Sequence, residues 1–318
     1  VYKDFDKAKK EIKDILSTIS DDMTVIQLIQ NLRKEDIRDI LSVMYIHSYL
    51  TQPDLCYKST ELLRLIKLDN KAVDYSFIPN NDLSVFRFFK TGMVDGVFQI
   101  ESPYMKSLIQ DLLKDLGKNP DLDGNKCFSR LIDANALGRP GPMAEIPHYV
   151  DNMLHPENIH YETEVMGKHL DSTNGIMIYQ EQMMRLTRIL AGFHPGDADT
   201  VRKACSKKKK ELLDEYGEYF VHGCKDKDIP GCIKMGLKEE VAKAIWEKFK
   251  TFGSYGFNKS HSVSYSELTV NTGWLDYYFA TEYMTATLNS VIDSANRIKG
   301  YISVCNARNI QILPPNII

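Results

Sequence analysis

Gly253-Ser254-Tyr255-Gly256-Phe257-Asn258-Lys259-Ser260-His261-Ser262 is the stretch whose reading decides the rest of the chain. Two glycines flank an aromatic, and five polar side chains follow in a row with one fixed positive charge, Lys259. The aromatics Phe252, Tyr255 and Phe257 interrupt this polarity, which is unusual for a purely solvated loop. Two readings fit. In one, a short turn anchored by its aromatics holds out donors suited to phosphate oxygens. In the other, a glycine turn precedes a helix with a hydroxyl cap.

Other segments bear on the choice. Gly96-Val97-Phe98-Gln99-Ile100-Glu101-Ser102, Arg139-Pro140-Gly141-Pro142, Tyr179-Gln180-Glu181-Gln182, Ala198 to Ala204 followed by Lys207 to Lys210, the opening stretch, and Ile312-Leu313-Pro314-Pro315 follow one another in that order. Each resembles a motif of the family C replicative DNA polymerases, the bacterial DNA polymerase III alpha subunit, in the same order. The resemblance covers residues 96–315, roughly two thirds of the chain.

Composition sets bounds. The chain has 318 residues and 43% hydrophobic content, enough for one large or two modest domains. A net charge of −3 gives no global attraction for a polyanion, so a nucleic-acid site must come from local clustering. The six cysteines, Cys56, Cys127, Cys205, Cys224, Cys232 and Cys305, are scattered without a Cys-x-x-Cys pair. This argues against a zinc site or a disulfide framework and fits a reducing cytosol. His222 with Cys224 and Cys232 matches no common metal spacing. No apolar run reaches the roughly eighteen residues of a membrane span. The first residue is Val1 and the last follow a Pro-Pro pair, so the expectation is a piece of something longer or a chain encoded in parts.

Taken in order, residues 1–19 read as a charged amphipathic helix, and helical spacing recurs at Val25, Leu28, Ile29 and Leu32 and from Lys34 to about Ser48. A linker after residue 70 leads to a helix from about Asp82 to Lys90. Ser102-Pro103 predicts a capped helix start, with a buried stripe from Met105 to Leu116 and an end at Gly117. Asn119 to Lys126 reads as a polar loop, its Asp121 and Asp123 included. Arg139 sits on a stiff Pro-Gly-Pro turn, which is either one that would keep an arginine where a phosphate arrives or a structural turn with a surface arginine. His148, His155, His160 and His169 have the spacing of surface loop residues. The pattern predicts helices over Ile176–Ala191, from Pro195, over Glu211–Phe220 and over Leu237–Phe249. Arg202, Lys203 and Lys207 to Lys210 place six positive charges in nine residues. That is either a solvated basic face or charge concentrated near a helix start for phosphate. Trp274, Tyr277, Tyr278, Phe279, Tyr283 and Met284 suggest a buried helix pair.

The resemblance implies a mainly α architecture: residues 70–318 as the helical fingers domain of a family C polymerase, and residues 1–69 as a diverged, palm-derived α/β segment. It implies DNA-directed DNA synthesis, with two Mg2+ ions clamping a deoxynucleoside triphosphate (dNTP) and activating a primer hydroxyl. Arg139, Arg202, Lys203, Lys207, Lys259 and His261 would bind triphosphate, and Lys208, Lys209, Lys210, Asn258 and Ser260 the primer–template DNA. Arg202 and Lys203 fall on the family's paired arginines, the second being lysine here, which keeps charge but loses the bidentate fork. Asp54 would be the palm's third catalytic, metal-bearing aspartate, although Pro53, Tyr57 and Gln52 stand where the family has phenylalanine, glycine and lysine. Gly138 stands where the family has phenylalanine. The family's Asp-x-Asp palm pair has no counterpart, so the implied partners include a separate palm-bearing chain and other replisome subunits, in the cytoplasm and with no membrane. Two other classes stand beside this one: a non-catalytic DNA- or nucleotide-binding module derived from a polymerase, and a helical interaction protein.

Overall fold

In the computed structural model, which describes residues 78–139, 141–253 and 255–313, local capping chemistry sets the first helix starts. Asp82 accepts from the Ser84 amide at 2.8 Å and opens α1 (Leu83–Thr91). Ser102 accepts from the Met105 amide, with Pro103 at the first position of α2 (Pro103–Leu112), as the Ser-Pro pair predicts. Asp123 caps α3 (Gly124–Leu137) through the Lys126 amide at 2.8 Å, so the acidic loop ends in a helix cap. Then come α4 (Ile146–Leu154), α5 (Glu164–Leu170), α6 (Gln180–Ala191), α7 (Pro195–Ser206) and α8 (Lys210–His222). Last are α9 (Glu239–Gly253), α10 (Lys259–Tyr278), α11 (Ala280–Ser290) and α12 (Ala295–Ala307). Among the described residues β-pairing is confined to isolated bridges, Tyr179 with Phe257 and Cys224 with Ile229. The chain is thus mainly α, as expected. The segment 1–69 expected to be palm-derived, the helices predicted within it and Asp54 lie outside the described residues.

Pro79–Trp274 forms one compact unit, and the described residues from Leu275 onward belong to a second. Within the second, α11 packs on α12, and the fully buried Asp276 carboxylate accepts from Arg308 Nη1 at 2.8 and 3.0 Å.

The larger unit contains two hydrophobic cores. The first is built by α1 to α4 together with Ile178, Tyr179 and Val270. The second is built by α5 to α9 and includes an aromatic cluster of Phe220, Trp246 and Phe249, with ring centroids 5.3 to 6.3 Å apart. Each such ring removed from water contributes about 2–3 kcal/mol. The chain passes from the first core to the second between Tyr179 and Met183. It passes back between Tyr255, packed on the second core, and Phe257, packed on the first.

Several expectations are corrected. Helix α2 ends at Leu112, five residues before Gly117; Leu113 and Leu116 remain buried in turns, and Lys90 Nζ caps the Lys114 and Leu116 carbonyls at 3.0 and 2.8 Å. Residues 176–179 are extended rather than helical, because Ile178 and Gln180 spend their backbone groups on Phe257. The region 143–175 carries short helices; His148, His155 and His160 are exposed and His169 half-buried. Tyr277 and Tyr278 are 45% and 47% exposed, while Tyr283 and Met284 are buried as expected.

Candidate phosphate and nucleic-acid interface

The opening stretch folds as a short extended segment running into α10. Phe257 N donates to the Ile178 carbonyl at 3.1 Å, and Gln180 N donates to the Phe257 carbonyl at 2.8 Å. Gly256 is required for the close approach: a Cβ there would lie 2.6 Å from Phe252 Cζ and 3.2 Å from Gln180 Cγ. Gly253 packs as tightly, since a Cβ would lie 2.1 Å from Cys205 Cβ. Asn258 caps α10, its Oδ1 accepting from the His261 amide at 2.8 Å. The cap is therefore a carboxamide, not a hydroxyl, and the polar run Lys259 to Ser262 is the first helical turn. Ser262, at that turn's inner side, is buried and donates to the Ile132 carbonyl.

Two segments far away in sequence are tied to this stretch by side chains, and a third, at Arg202, is joined to it through Gln180. Arg139 Nη2 donates to the Tyr255 carbonyl at 3.0 Å, and its guanidinium lies 3.8 Å over the Phe257 ring. Its Nε is buried without a hydrogen-bond partner among the described residues, and burial lowers the Arg139 pKa. Gln180 Nε2 donates to the Gly256 carbonyl at 2.8 Å, while its Oε1 accepts from Arg202 Nη1 at 3.3 Å. Glu181 accepts the Lys259 amide at 3.2 Å through both oxygens. Lys259 Nζ lies 5.2 Å over the Tyr179 ring, a cation–π placement. His261 stacks between Phe257 and Tyr265, at 5.2 and 4.1 Å between centroids.

Arg202 and Lys203 share one carboxylate. Asp199 pairs with Arg202 Nη2 and with Lys203 Nζ, each at 2.7 Å. Burial pushes the Asp199 carboxyl up, but the hydrogen bonds from Lys203 and Arg202, with their charges, outweigh it and hold the group below its ordinary range. Two cations against one anion leave this end of α7 net positive.

Lys207 to Lys210 do not surround one helix. They form the α7–α8 connection: Lys207 ends α7, Lys208 is left-handed at φ 51°, and Lys210 begins α8. Lys208 N donates to the Cys205 carbonyl and Lys209 N to that of Ala204, a helix stop that normally uses glycine. All four lysines are exposed.

Sequence reasoning missed Asp133, Glu181 and Asp199. Asp133 is 3% exposed and receives Tyr149 Oη at 2.5 Å on one oxygen and Tyr179 Oη on the other. Its signal was a charge inside the apolar run Leu131 to Leu137. Tyr179 and Gln182 are engaged at the core and its edge. Tyr179 is fully buried, and Gln182 Oε1 caps the amides of Ile178 and Tyr179 at 2.9 Å.

The described residues do not fit a metal ion. Among the described residues no group of three or more His, Cys, Asp or Glu side chains can hold one. The Cys232 thiol is pushed up to about 12 by burial, which keeps it protonated and unsuited to ligation. No helix among the described residues is long and apolar enough to cross a membrane.

Against known proteins, the sequence model of the bacterial DNA polymerase III alpha subunit finger domain matches residues 59–228. The chain is similar to the DNA polymerase III subunit alpha of Bacillus subtilis, 34% identical over 79% of this chain and 21% of the relative. It is 32% identical to that of Campylobacter jejuni over 91% of this chain and 23% of the relative, and 33% identical to that of Aquifex aeolicus over 81% and 21%. The chain therefore spans about a fifth of the length of these relatives. The matched region contains the segments at 96–102, 139–142, 179–182 and 198–210, and the fold ties the second, third and fourth of them to the Tyr255–Lys259 stretch. Sequence match and helical architecture agree: the chain belongs to the bacterial DNA polymerase III alpha subunit finger-domain family.

Proposed function

We propose that this chain is the fingers part of a replicative, DNA-directed DNA polymerase, binding the incoming dNTP and the phosphates of primer–template during synthesis in the bacterial cytoplasm. One observation carries the reading. Two segments remote in sequence, one at Arg139 and one at Gln180, which also accepts from Arg202, are hydrogen-bonded to the short stretch that carries Lys259. Such convergence holds positive charge in fixed places before a polyanion arrives, the condition under which electrostatic stabilisation costs no reorganisation. On this reading Arg202, Lys203, Lys259 and His261, with Arg139 and Lys207, serve the triphosphate; Asn258, Ser260 and Lys208 to Lys210 serve DNA phosphates. A palm-bearing segment or chain supplies the aspartates and the Mg2+ chemistry, and no step through a metal is assigned to the described residues.

The test is equilibrium binding of the 318-residue chain to a fluorescent primer–template across a salt series, followed by primer extension after adding a palm-bearing polymerase chain. The reading expects affinity that falls steeply with salt and extension only in company. Salt-sensitive binding with no synthesis in any company would assign the chain to a non-catalytic binding module. Affinity indifferent to salt, and indifferent to charge reversal of Lys207 to Lys210, would leave a helical interaction protein.

A further inference from the structure

The buried Asp133 carboxylate has no use in the reading above, and burying such a charge is costly unless something needs it. It lies on α3 between residues that grip α10: the Ile132 carbonyl accepts from Ser262, and Asn135 Nδ2 donates to Ser266 Oγ at 2.8 Å. Each carboxylate oxygen takes one tyrosine hydroxyl, Tyr149 from α4 and Tyr179 from the extended segment before α6. No arginine or lysine touches it among the bonds of the described residues. Burial raises the Asp133 carboxyl to about 6, against the two tyrosine hydrogen bonds and the positive charge of Lys259, all of which lower it. The Tyr179 ring that it fixes is the ring over which the Lys259 ammonium sits. Tyr179 thus links the two charges, its hydroxyl on the buried anion at the ring edge and its face beneath the exposed cation.

We infer that Asp133 is a positioning residue for Lys259: through the Tyr179 hydroxyl it locks the ring beneath the ammonium, and through its charge it holds that ammonium at the first turn of α10. An apolar residue at 133 could fill the space but could neither orient two hydroxyls nor attract a cation. The carboxylate makes Lys259 a charge in a set place instead of a flexible one, at the turn that Asn258 caps and Glu181 clamps. The inference rests on the phosphate-binding reading only for its consequence in nucleotide affinity.

The test is Asp133→Asn in the 318-residue chain, which keeps shape, exchanges one acceptor oxygen for an amide donor and removes the charge. Two quantities are read. The first is the rate of reductive methylation at Lys259, measured by peptide mass spectrometry with Lys207 to Lys210 as internal references. It should rise about threefold while the references stay constant. The second is dNTP affinity in a cycle with Lys259→Met. Asp133→Asn should weaken binding about three- to tenfold alone and not at all once Lys259 is gone. An unchanged Lys259 rate in a folded Asp133→Asn chain, or losses that simply add, overturns the inference. Should Asp133→Asn fail to fold, Tyr179→Phe carries the same test, since it keeps the ring and removes only the hydroxyl that reaches Asp133. A wild-type chain that binds neither dNTP nor DNA overturns the phosphate reading, and the methylation rate then still decides whether Asp133 holds Lys259.

Discussion

The Tyr255–Lys259 stretch and the Lys207–Lys210 connection both present positive charge on the larger unit, and they are built in opposite ways. At the first, each cation is engaged: Arg139 on a carbonyl and a ring, Arg202 on Asp199 and Gln180, Lys259 over Tyr179. At the second, four exposed lysines follow one another on a turn that places Lys208 in the left-handed region. The difference teaches what charge is for at each place. Engaged cations between two cores stabilise and pre-set geometry; exposed lysines contribute little to stability and act by long-range, salt-screened attraction.

The comparison can be broken most sharply at Tyr179. Tyr179→Ala removes a fully buried ring and one partner of a buried carboxylate, and should cost about 4 kcal/mol in urea denaturation. A loss below about 1 kcal/mol would mean that the junction between the cores is not structural.

The next effect is in pH. The Asp133 carboxyl stands at an ordinary 3.8 when unfolded and about 6 when folded, faced by Tyr149 of α4, Tyr179 before α6 and Lys259 of α10, with Arg130 acting on Tyr149. A raised folded value means that the protonated form is favoured on folding. The group's contribution is therefore fully present below 3.8 and is lost as pH rises through about 6. Above that it leaves a cost of about 3 kcal/mol. Asp133→Asn should remove this term, so the stability difference between variant and wild type should grow in the variant's favour between pH 4 and 7. A difference independent of pH would show that the carboxyl titrates normally.

The lysine connection is expected to respond in binding, not in fold. Replacing Lys207 to Lys210 with glutamine should flatten the slope of log affinity against log salt for duplex DNA by about 3 to 4, with stability changed by less than about 0.5 kcal/mol. An unaltered slope would remove these lysines from the DNA-binding reading. The smallest effect is at one residue: Lys208→Gly relieves a left-handed lysine and should stabilise the chain by about 1 kcal/mol while weakening DNA binding slightly. Thermal and salt titrations on the same sample check both signs.

Much of the fold was legible because its signals are local. The Ser102-Pro103 start, the Pro195 start and the Gly192 stop of α6 depend on residues within one turn of the boundary. The start of α6 was misplaced because Ile178 and Tyr179 pair with Phe257, some eighty residues away, and no local pattern announces that pairing. The stiff turn under Arg139 is legible in the sequence, but the group its guanidinium holds is not. Its hold on the Tyr255 carbonyl is again a contact across more than a hundred residues. Asp133 could have been questioned from the apolar run around it, but its two tyrosines lie 16 and 46 residues away.

By itself, then, the sequence determined the helical character, several helix boundaries, the scattered placing of the cysteines and, through ordered motifs, the family. Those properties follow from residue type and short-range spacing, which backbone sterics and capping hydrogen bonds read directly. Only the tertiary structure decided that the motifs at 139, 179–182, 202 and 255–259 share one place, and which cations are engaged there and which face solvent. The physical reason is that such sharing depends on how two cores close against each other. Burial and long-range hydrogen bonds are set by that closure, and no local stretch of chain contains them.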